Sequence, residues 1–374
     1  MYVRSVDEMT LNFDDIEPWK SIERVNLSDD GEILARFGDS DYRDDGSNGQ
    51  VMVRIPKFYY RAEHGPRTHG YYISPYRLSG YKVSRAHFRN GKEVDEIFIG
   101  AYKACCYDVS EGAYNLTDAP NIDFTPGTGD KMASIAGAKP ISGFENALTL
   151  PNARILAQNR GPGWGLVDFI SASMVQMLML VELGHFDAQT KIGRGIVDVS
   201  DGTGNMAMPT GQTAELGNQS GQATGNVHPV TGEAANSISY RGLEDWWGNI
   251  WEWTDGINIQ ADNKPWIADH GFQSDLFAAP YASMGVTLPN VNGYASDIHV
   301  TPEHDYCFLP SEVGASATTK LCDYYYQNTG NRAAQRGGGW GNGSDAGPFC
   351  WLLSGTSSYR GRYVGARLLY VGGV

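Results

Sequence analysis

The sequence predicts a loop-rich α+β domain with few helices, and three observations carry that expectation. Glycine is abundant at 46 residues, and Tyr (21) and Trp (9) are plentiful. Glycine with aromatics marks tight turns and short strands rather than long helices. Turn signals recur along most of the chain, and only one stretch has a convincing helical pattern. With 374 residues, 41% hydrophobic and 19% charged, the chain is long enough for one large domain or two ordinary ones.

Residues 1–50 are acidic and broken by turns at Ser28-Asp-Asp-Gly31 and Asp44-Asp-Gly-Ser-Asn-Gly49, with a short strand expected from Glu32 to Phe37. They read as an N-terminal extension, and residues 51–374 as the main domain. The first firm strand is Val51-Met-Val-Arg-Ile-Pro-Lys-Phe-Tyr-Tyr60, rich in β-formers and ended by His64-Gly-Pro66. Further strands are expected at Tyr71–Ser74, Tyr81–Ser84 and Glu96–Tyr102. The helix is expected to begin near Ser171. Ser173 and Gln176 have capping-box spacing, in which the Ser oxygen accepts from a backbone N–H while Gln reaches back. Met174, Met177, Leu178 and Val181 then share one face and read as core, and Gly184 is the natural stop. From Gly193 to Ala235 the chain is Gly/Thr/Ser/Asn-rich. It reads as loop because it runs straight into Ser237-Ile-Ser-Tyr-Arg-Gly242. A second loop tract, Asn290 to Ala317, holds His299 and His304. No fixed-period repeat and no clear domain break follow residue 50.

The net charge is −14 and the pI is near 5.0. Such a surface repels a phosphate backbone, so no nucleic-acid partner is expected. It also opposes adhesion to anionic lipid. No run of about 18 apolar residues exists, so no membrane insertion is expected. The best candidate, Leu166 to Leu183, is interrupted by Asp168, Gln176 and Glu182. The N-terminus, Met1-Tyr-Val-Arg-Ser-Val-Asp, carries no apolar signal region, which predicts synthesis in the cytoplasm without a signal peptide. Cys105, Cys106, Cys307, Cys322 and Cys350 fit neither a disulfide framework nor a zinc site. They read as buried, reduced thiols, with a single Cys307–Cys322 bridge left open.

The densest aromatic segment is Gly242-Leu-Glu-Asp-Trp-Trp-Gly-Asn249-Ile-Trp251-Glu-Trp253-Thr-Asp-Gly256. Trp247, Trp251 and Trp253 each remove roughly 150–250 Å² from solvent when buried, which makes this a core strand with a tight turn at Asn249. Calcium at the Asn249 or Glu252 oxygens is the alternative, but no cluster of carboxylates accompanies them. Arg336 and Arg367 are expected to be buried against a carboxylate, Asp245 or Glu252. Gly337-Gly-Gly-Trp-Gly-Asn-Gly343 lacks a strand-to-helix context and a Lys, so it is no nucleotide loop. Between Gly341 and Tyr363 the chain mixes polar, aromatic and charged residues without a period, inside a Gly-rich, aromatic frame. That pattern suits a rigid frame presenting an irregular surface.

The string Gly248-Asn-Ile-Trp-Glu-Trp253 after a helix, then Arg336-Gly-Gly-Gly-Trp340, then Gly365-Ala-Arg367, resembles the formylglycine-generating-enzyme branch of the C-type lectin fold. The resemblance covers roughly residues 50–370. Within that fold the chain looks most like the variable proteins of diversity-generating retroelements, of the kind carried on phages and prophages of gut bacteria. Val51–Tyr60, Leu150-Pro-Asn-Ala-Arg154 and Asp275-Leu-Phe-Ala-Ala-Pro-Tyr281 strengthen it.

The resemblance implies a fixed scaffold whose terminal segment, about 339–363, is rewritten at adenines. Trp340, Ala346, Gly347, Phe349, Val364, Gly365 and Arg367 would be frame. Residues reachable from an Asn codon are Gly339, Gly341, Asn342, Asp345, Leu352, Ser354, Gly355, Tyr359, Gly361 and Tyr363. Trp351, Arg360 and Arg362 sit among them and complete the expected ligand-binding set. Tyr, Trp and Arg give the most binding energy per contact, and Ser, Gly and Asn add adaptable hydrogen bonds.

The implied function is non-catalytic binding of a bacterial surface protein or glycan, as a phage tail or cell-surface adhesin. A homo-oligomer or attachment to a larger tail would add avidity. No catalytic or metal-ligand residue is assigned and no cofactor is expected, with calcium left open. The alternatives are a metal-dependent oxidase of the same branch or a fixed-specificity lectin-like module. An oxidase with a Cu(I)-binding cysteine pair would have to use Cys350 and Cys322. An iron site would need a spaced histidine pair; His299 and His304 are the closest in the second half. His64 and His69, in a Gly/Pro-rich turn, read as solvated.

Overall fold

The computed structural model describes residues 11–373. The N-terminal stretch read for a signal region, Met1 to Asp7, lies outside the described residues. Along the chain run β1 (Glu23–Leu27), β2 (Ile33–Arg36), β3 (Gln50–Pro56), β4 (Tyr59–Gly65), β5 (Thr68–Ser74) and β6 (Glu96–Gly100). Helix α1 (Leu150–Gln158), β7 (Trp164–Leu166) and helix α2 (Phe169–Leu183) follow. The second half holds β8 (Trp251–Ile259), β9 (Pro265–Ile267), β10 (Ala282–Ser283), β11 (Gly293–Ile298) and β12 (Pro310–Val313). It ends with β13 (Tyr324–Gln327), β14 (Arg332–Arg336), β15 (Trp351–Leu353), β16 (Val364–Gly365) and β17 (Leu368–Tyr370). The fold is mostly sheet with few helices and many loops, as the composition predicts.

Two sheets organise the molecule. An antiparallel one has the order β7-β17-β6-β3-β1-β2, so the C-terminal strand lies beside strands from the first hundred residues. The other has the order β10-β9-β8-β14-β15-β13-β11-β12, with β16 parallel to the start of β8. Helix α2 lies in the core between them. Its residues from Phe169 to Leu180 are all buried, the mark of a helix apolar all round. Val53, Ile55 and Ile99 of the antiparallel sheet and Ile257, Tyr325 and Trp351 of the other belong to the same core cluster.

Several expectations change on contact with the structure. The N-terminal extension is packed on the main domain by a strand pairing, β1 with β3 from Glu23↔Arg54 to Leu27↔Gln50. Arg24, fully buried, donates to the Gly242 carbonyl at 2.9 Å and the Thr213 hydroxyl at 3.2 Å. The strand expected over Val51–Tyr60 is two strands, parted after Pro56, whose ring removes a ladder donor. The second of them ends at Gly65, within the expected His64-Gly-Pro66 stop, where the chain turns into a hairpin with β5.

Helix α2 starts at Phe169 and is capped by Asp168, whose carboxylate accepts from the Ser171 N–H at 2.8 Å. Ser173 is therefore interior, and Gln176 donates to the Pro348 carbonyl at 2.7 Å rather than reaching back to a cap. The competing acceptor won because Asp168 also receives buried Arg89. Gly184, at φ +63°, does end the helix. Helix α1 was not expected from periodicity; Thr149 caps it and a proline occupies its first turn. All five cysteines are free and buried, which closes the Cys307–Cys322 alternative.

The three motif strings meet at one buried carboxylate. Glu252 accepts from Arg367 Nε at 2.8 Å and from Lys103 Nζ at 3.0 Å, and also pairs with Arg336. Burial alone would raise its pKa, but Arg336, Arg367 and Lys103 together bring it down to about 2. Of the two carboxylates expected to pair the arginines, Glu252 takes both, and Asp245 contributes a backbone carbonyl to Arg367 at 3.2 Å. The Arg336 guanidinium lies 3.5 Å from the ring centroid of Trp246.

Candidate ligand-binding face

Strand alternation builds this face. In β13 the middle tyrosine, Tyr325, is 1% exposed and points into the core. Tyr324 and Tyr326 therefore share the opposite face. In β15 Trp351 and Leu353 are both fully buried inward, so Leu352 faces out with the tyrosines. The register places Tyr326 and Gln335 on either side of Leu352, and Tyr294 opposite Tyr324. The result is an aromatic row across the sheet. Ring centroids are 5.0 Å apart for Tyr294–Tyr324, 4.6 Å for Tyr324–Tyr326 and 5.9 Å for Tyr326–Trp251.

The segment after β14 is tied to this row. Tyr326 Oη donates to Asp345 Oδ2 at 3.0 Å, and the Tyr294 hydroxyl bonds the other carboxylate oxygen. Burial and the Asp345 carboxylate both push these phenols above their ordinary range, so they stay neutral donors. Asn342 donates to Tyr326 Oη at 3.3 Å and accepts from the Gly339 N–H at 2.8 Å. Beyond β15 the chain arches over the sheet and encloses a hollow of about 320 Å³ between Trp251, Gln335, Leu352, Ser354, Tyr359 and Tyr363. Gln335 is 1% exposed, and its Nε2 has no hydrogen-bond partner. A Cβ at Gly355 would stand 3.3 Å from that nitrogen, so a side chain there would crowd the amide.

The predicted residues divide. Asn342, Asp345, Leu352, Ser354, Gly355, Tyr359 and Tyr363 converge on the face or its hollow. Tyr359 is exposed at 42%. Tyr363 stacks on Trp340 at 5.0 Å, and its hydroxyl donates to Asp201 at 2.7 Å. Arg362 bonds Asp201 at 2.6 Å and lies 4.8 Å over the Tyr363 ring. Arg360 and Gly341 are exposed and Gly361 half-buried, at the margin beside Gly143 and Val199. Trp351 and Gly339 are corrections. Trp351 is fully buried and packs on Phe169 at 5.3 Å, because its strand parity points it at the helix. Gly339 is buried against Trp251.

Trp251, Gln335, Tyr294, Tyr324 and Tyr326 were missed. The signal for two of them was the run Tyr324-Tyr-Tyr326, which in any strand puts its outer pair on one face. The oxygens weighed for calcium are already engaged. Asn249, at φ +61°, accepts from the Met208 N–H at 2.8 Å and donates to Asp245 at 3.0 Å. Glu252 is held by three cations. Burial pushes the Cys322 and Cys350 thiols well above their ordinary range, away from the thiolate a copper ligand needs. Among the described residues no group of three or more His, Cys, Asp or Glu converges on a metal position. No helix among them is long and apolar enough to cross a membrane.

No protein-family model matches the chain, and no curated protein does. Among solved structures it is similar to Treponema denticola variable protein 1, at 11% identity and a TM-score of 0.34, over 86% of this chain and 95% of that one. It is also similar to the Major Tropism Determinant P3c variant, at 13% identity and a TM-score of 0.26, over 89% and 84%. The U1 variant aligns at 13% identity and a TM-score of 0.27, over 91% and 88%.

Proposed function

We propose that this chain is a non-catalytic ligand-binding protein whose recognition surface is the aromatic face of β8, β14, β15 and β13 together with residues 341–363. The observation that carries this reading is the hollow beneath Tyr359. It combines aromatic walls with a buried amide donor, Gln335 Nε2, that nothing in the chain satisfies. A buried, unmet donor costs about 1–3 kcal/mol, and a ligand oxygen would recover it. Tyr and Trp supply rigid contact area at low entropic cost.

The partner is proposed to be a bacterial surface protein or glycan, and the setting a phage tail or cell-surface adhesin, as the resemblance to variable proteins implies. The names of the tropism-determinant neighbours point the same way. The C-type lectin fold of the formylglycine-generating-enzyme branch is the proposed family placement. A multimer or attachment to a tail would turn weak single contacts into avidity.

The test is binding of the purified, fluorescently labelled chain to a panel of bacterial cells and to a glycan array. Saturable binding that Tyr359→Ala and Tyr326→Ala both weaken supports the reading. Binding unaffected by either change, or stoichiometric copper with oxidase activity on a cysteine peptide, overturns it.

A further inference from the structure

Away from that face, the tip of the β4–β5 hairpin holds a histidine pair that the proposed function does not use. His64 and His69 face each other across the ladder, and their Nδ1 atoms are 2.9 Å apart. This corrects the expectation of two solvated side chains: His69 is 5% exposed and His64 half-buried. His69 Nε2 lies 2.8 Å from Asp297 Oδ1 on β11. A carboxylate accepts, so His69 carries its proton on Nε2, and its Nδ1 accepts from the Nδ1–H of His64. No hydrogen bond occupies His64 Nε2, and a metal ion that displaced the proton shared between the two Nδ1 atoms would meet a lone pair on each.

From this geometry we infer that the hairpin tip is a divalent transition-metal site, with His64 Nδ1 and His69 Nδ1 as its two protein ligands and Asp297 orienting His69. Three features support it. A histidine whose far nitrogen donates to a carboxylate is the usual arrangement of a metal-bound imidazole. The two Nδ1 atoms, 2.9 Å apart, are close enough for one ion to lie about 2.0–2.1 Å from each after small adjustments of the rings. Imidazole nitrogens suit Cu(II) and Ni(II) as well as zinc. The site also opens on a hollow of about 340 Å³ beside Glu63, Thr68 and Tyr72, with room for water or a ligand oxygen at the remaining positions.

The experiment is calorimetric titration of the full chain with Ni(II) in a non-chelating buffer, paired with electron paramagnetic resonance of the Cu(II) form. One saturable equivalent is expected. His64→Gln and His69→Gln should abolish it, and Asp297→Asn should weaken it about 10-fold or more. His270→Gln, at an exposed histidine elsewhere, should leave it unchanged. The Cu(II) spectrum should show two imidazole nitrogens in the unmodified protein, a readout independent of whether the variants fold. Absence of a saturable equivalent, retention of it in His69→Gln, or a spectrum without two nitrogens overturns the site.

Discussion

Arg367 Nε donates to Glu252 Oε1 at 2.8 Å, while the other oxygen of the same carboxylate holds Arg336. Both ends of the segment between those arginines are thus clamped on one buried group. Exposed side chains along the segment, such as Tyr359, take no part in the clamp and can differ without moving its anchors.

Glu252→Gln should be strongly destabilising. It leaves Arg336, Arg367 and Lys103 buried without their counter-charge, and breaking such a cluster costs about 3–5 kcal/mol. The folded pKa of about 2 lies below the ordinary 4.5. The stabilisation is therefore full above about pH 4.5 and lost as pH falls towards 2. Urea melts at pH 6 and pH 3 should show the gap between native protein and variant narrowing at the lower pH. An equal gap at both would contradict this account.

Asp323 titrates in the opposite sense. Burial raises it from 3.8 to about 8, so the folded protein holds a proton that the unfolded chain releases. Stability from this group should fall as pH rises from about 4 to about 8, then level off. Asp323→Asn should flatten that slope while keeping an acceptor for the Phe349 N–H, now 2.7 Å away. Denaturation midpoints from pH 5 to 9 check it, and an unchanged slope in the variant would rule it out.

The tyrosines should separate in their effects. Tyr359→Ala should leave the melting temperature within about 2 °C, since exposed substitutions cost little. Tyr363→Ala should lower stability by about 1 kcal/mol through lost stacking on Trp340 and the lost bond to Asp201. Tyr326→Ala should weaken ligand binding at least about 10-fold, as a central aromatic contact. Thermal melts and binding isotherms on the three variants decide.

Gln335→Met should keep or raise stability and weaken binding. It removes a buried donor with no partner and replaces it with a side chain of similar volume. Loss of both stability and binding together would mean that the amide serves the fold and not the ligand.

Frame positions should behave differently again. A side chain at Gly365 would meet the Ile141 carbonyl oxygen at 2.8 Å, so Gly365→Val should prevent stable folding. Trp340→Ala, emptying a site 1% exposed, should cost about 3–5 kcal/mol. Soluble yield and circular dichroism would show either.

By itself the sequence determined the class of fold, the helix ending at Gly184 and the buried arginine–carboxylate frame. Each of these is written in local pattern: turn residues, apolar spacing, or motif strings whose charge demands a partner. Tertiary structure alone decided the rest. Trp351 and Tyr359 are equally aromatic in sequence, yet one is core and the other surface, because strand parity and the helix behind the sheet settle which way each points. Tyr294, Tyr324 and Trp251 join the face from distant stretches through cross-strand register. Likewise His64 and His69, five residues apart in a turn-rich stretch, become a facing pair through the ladder that aligns them and the Asp297 carboxylate that another strand delivers. Register and packing bring together groups that no local pattern links, and there a linear reading runs out.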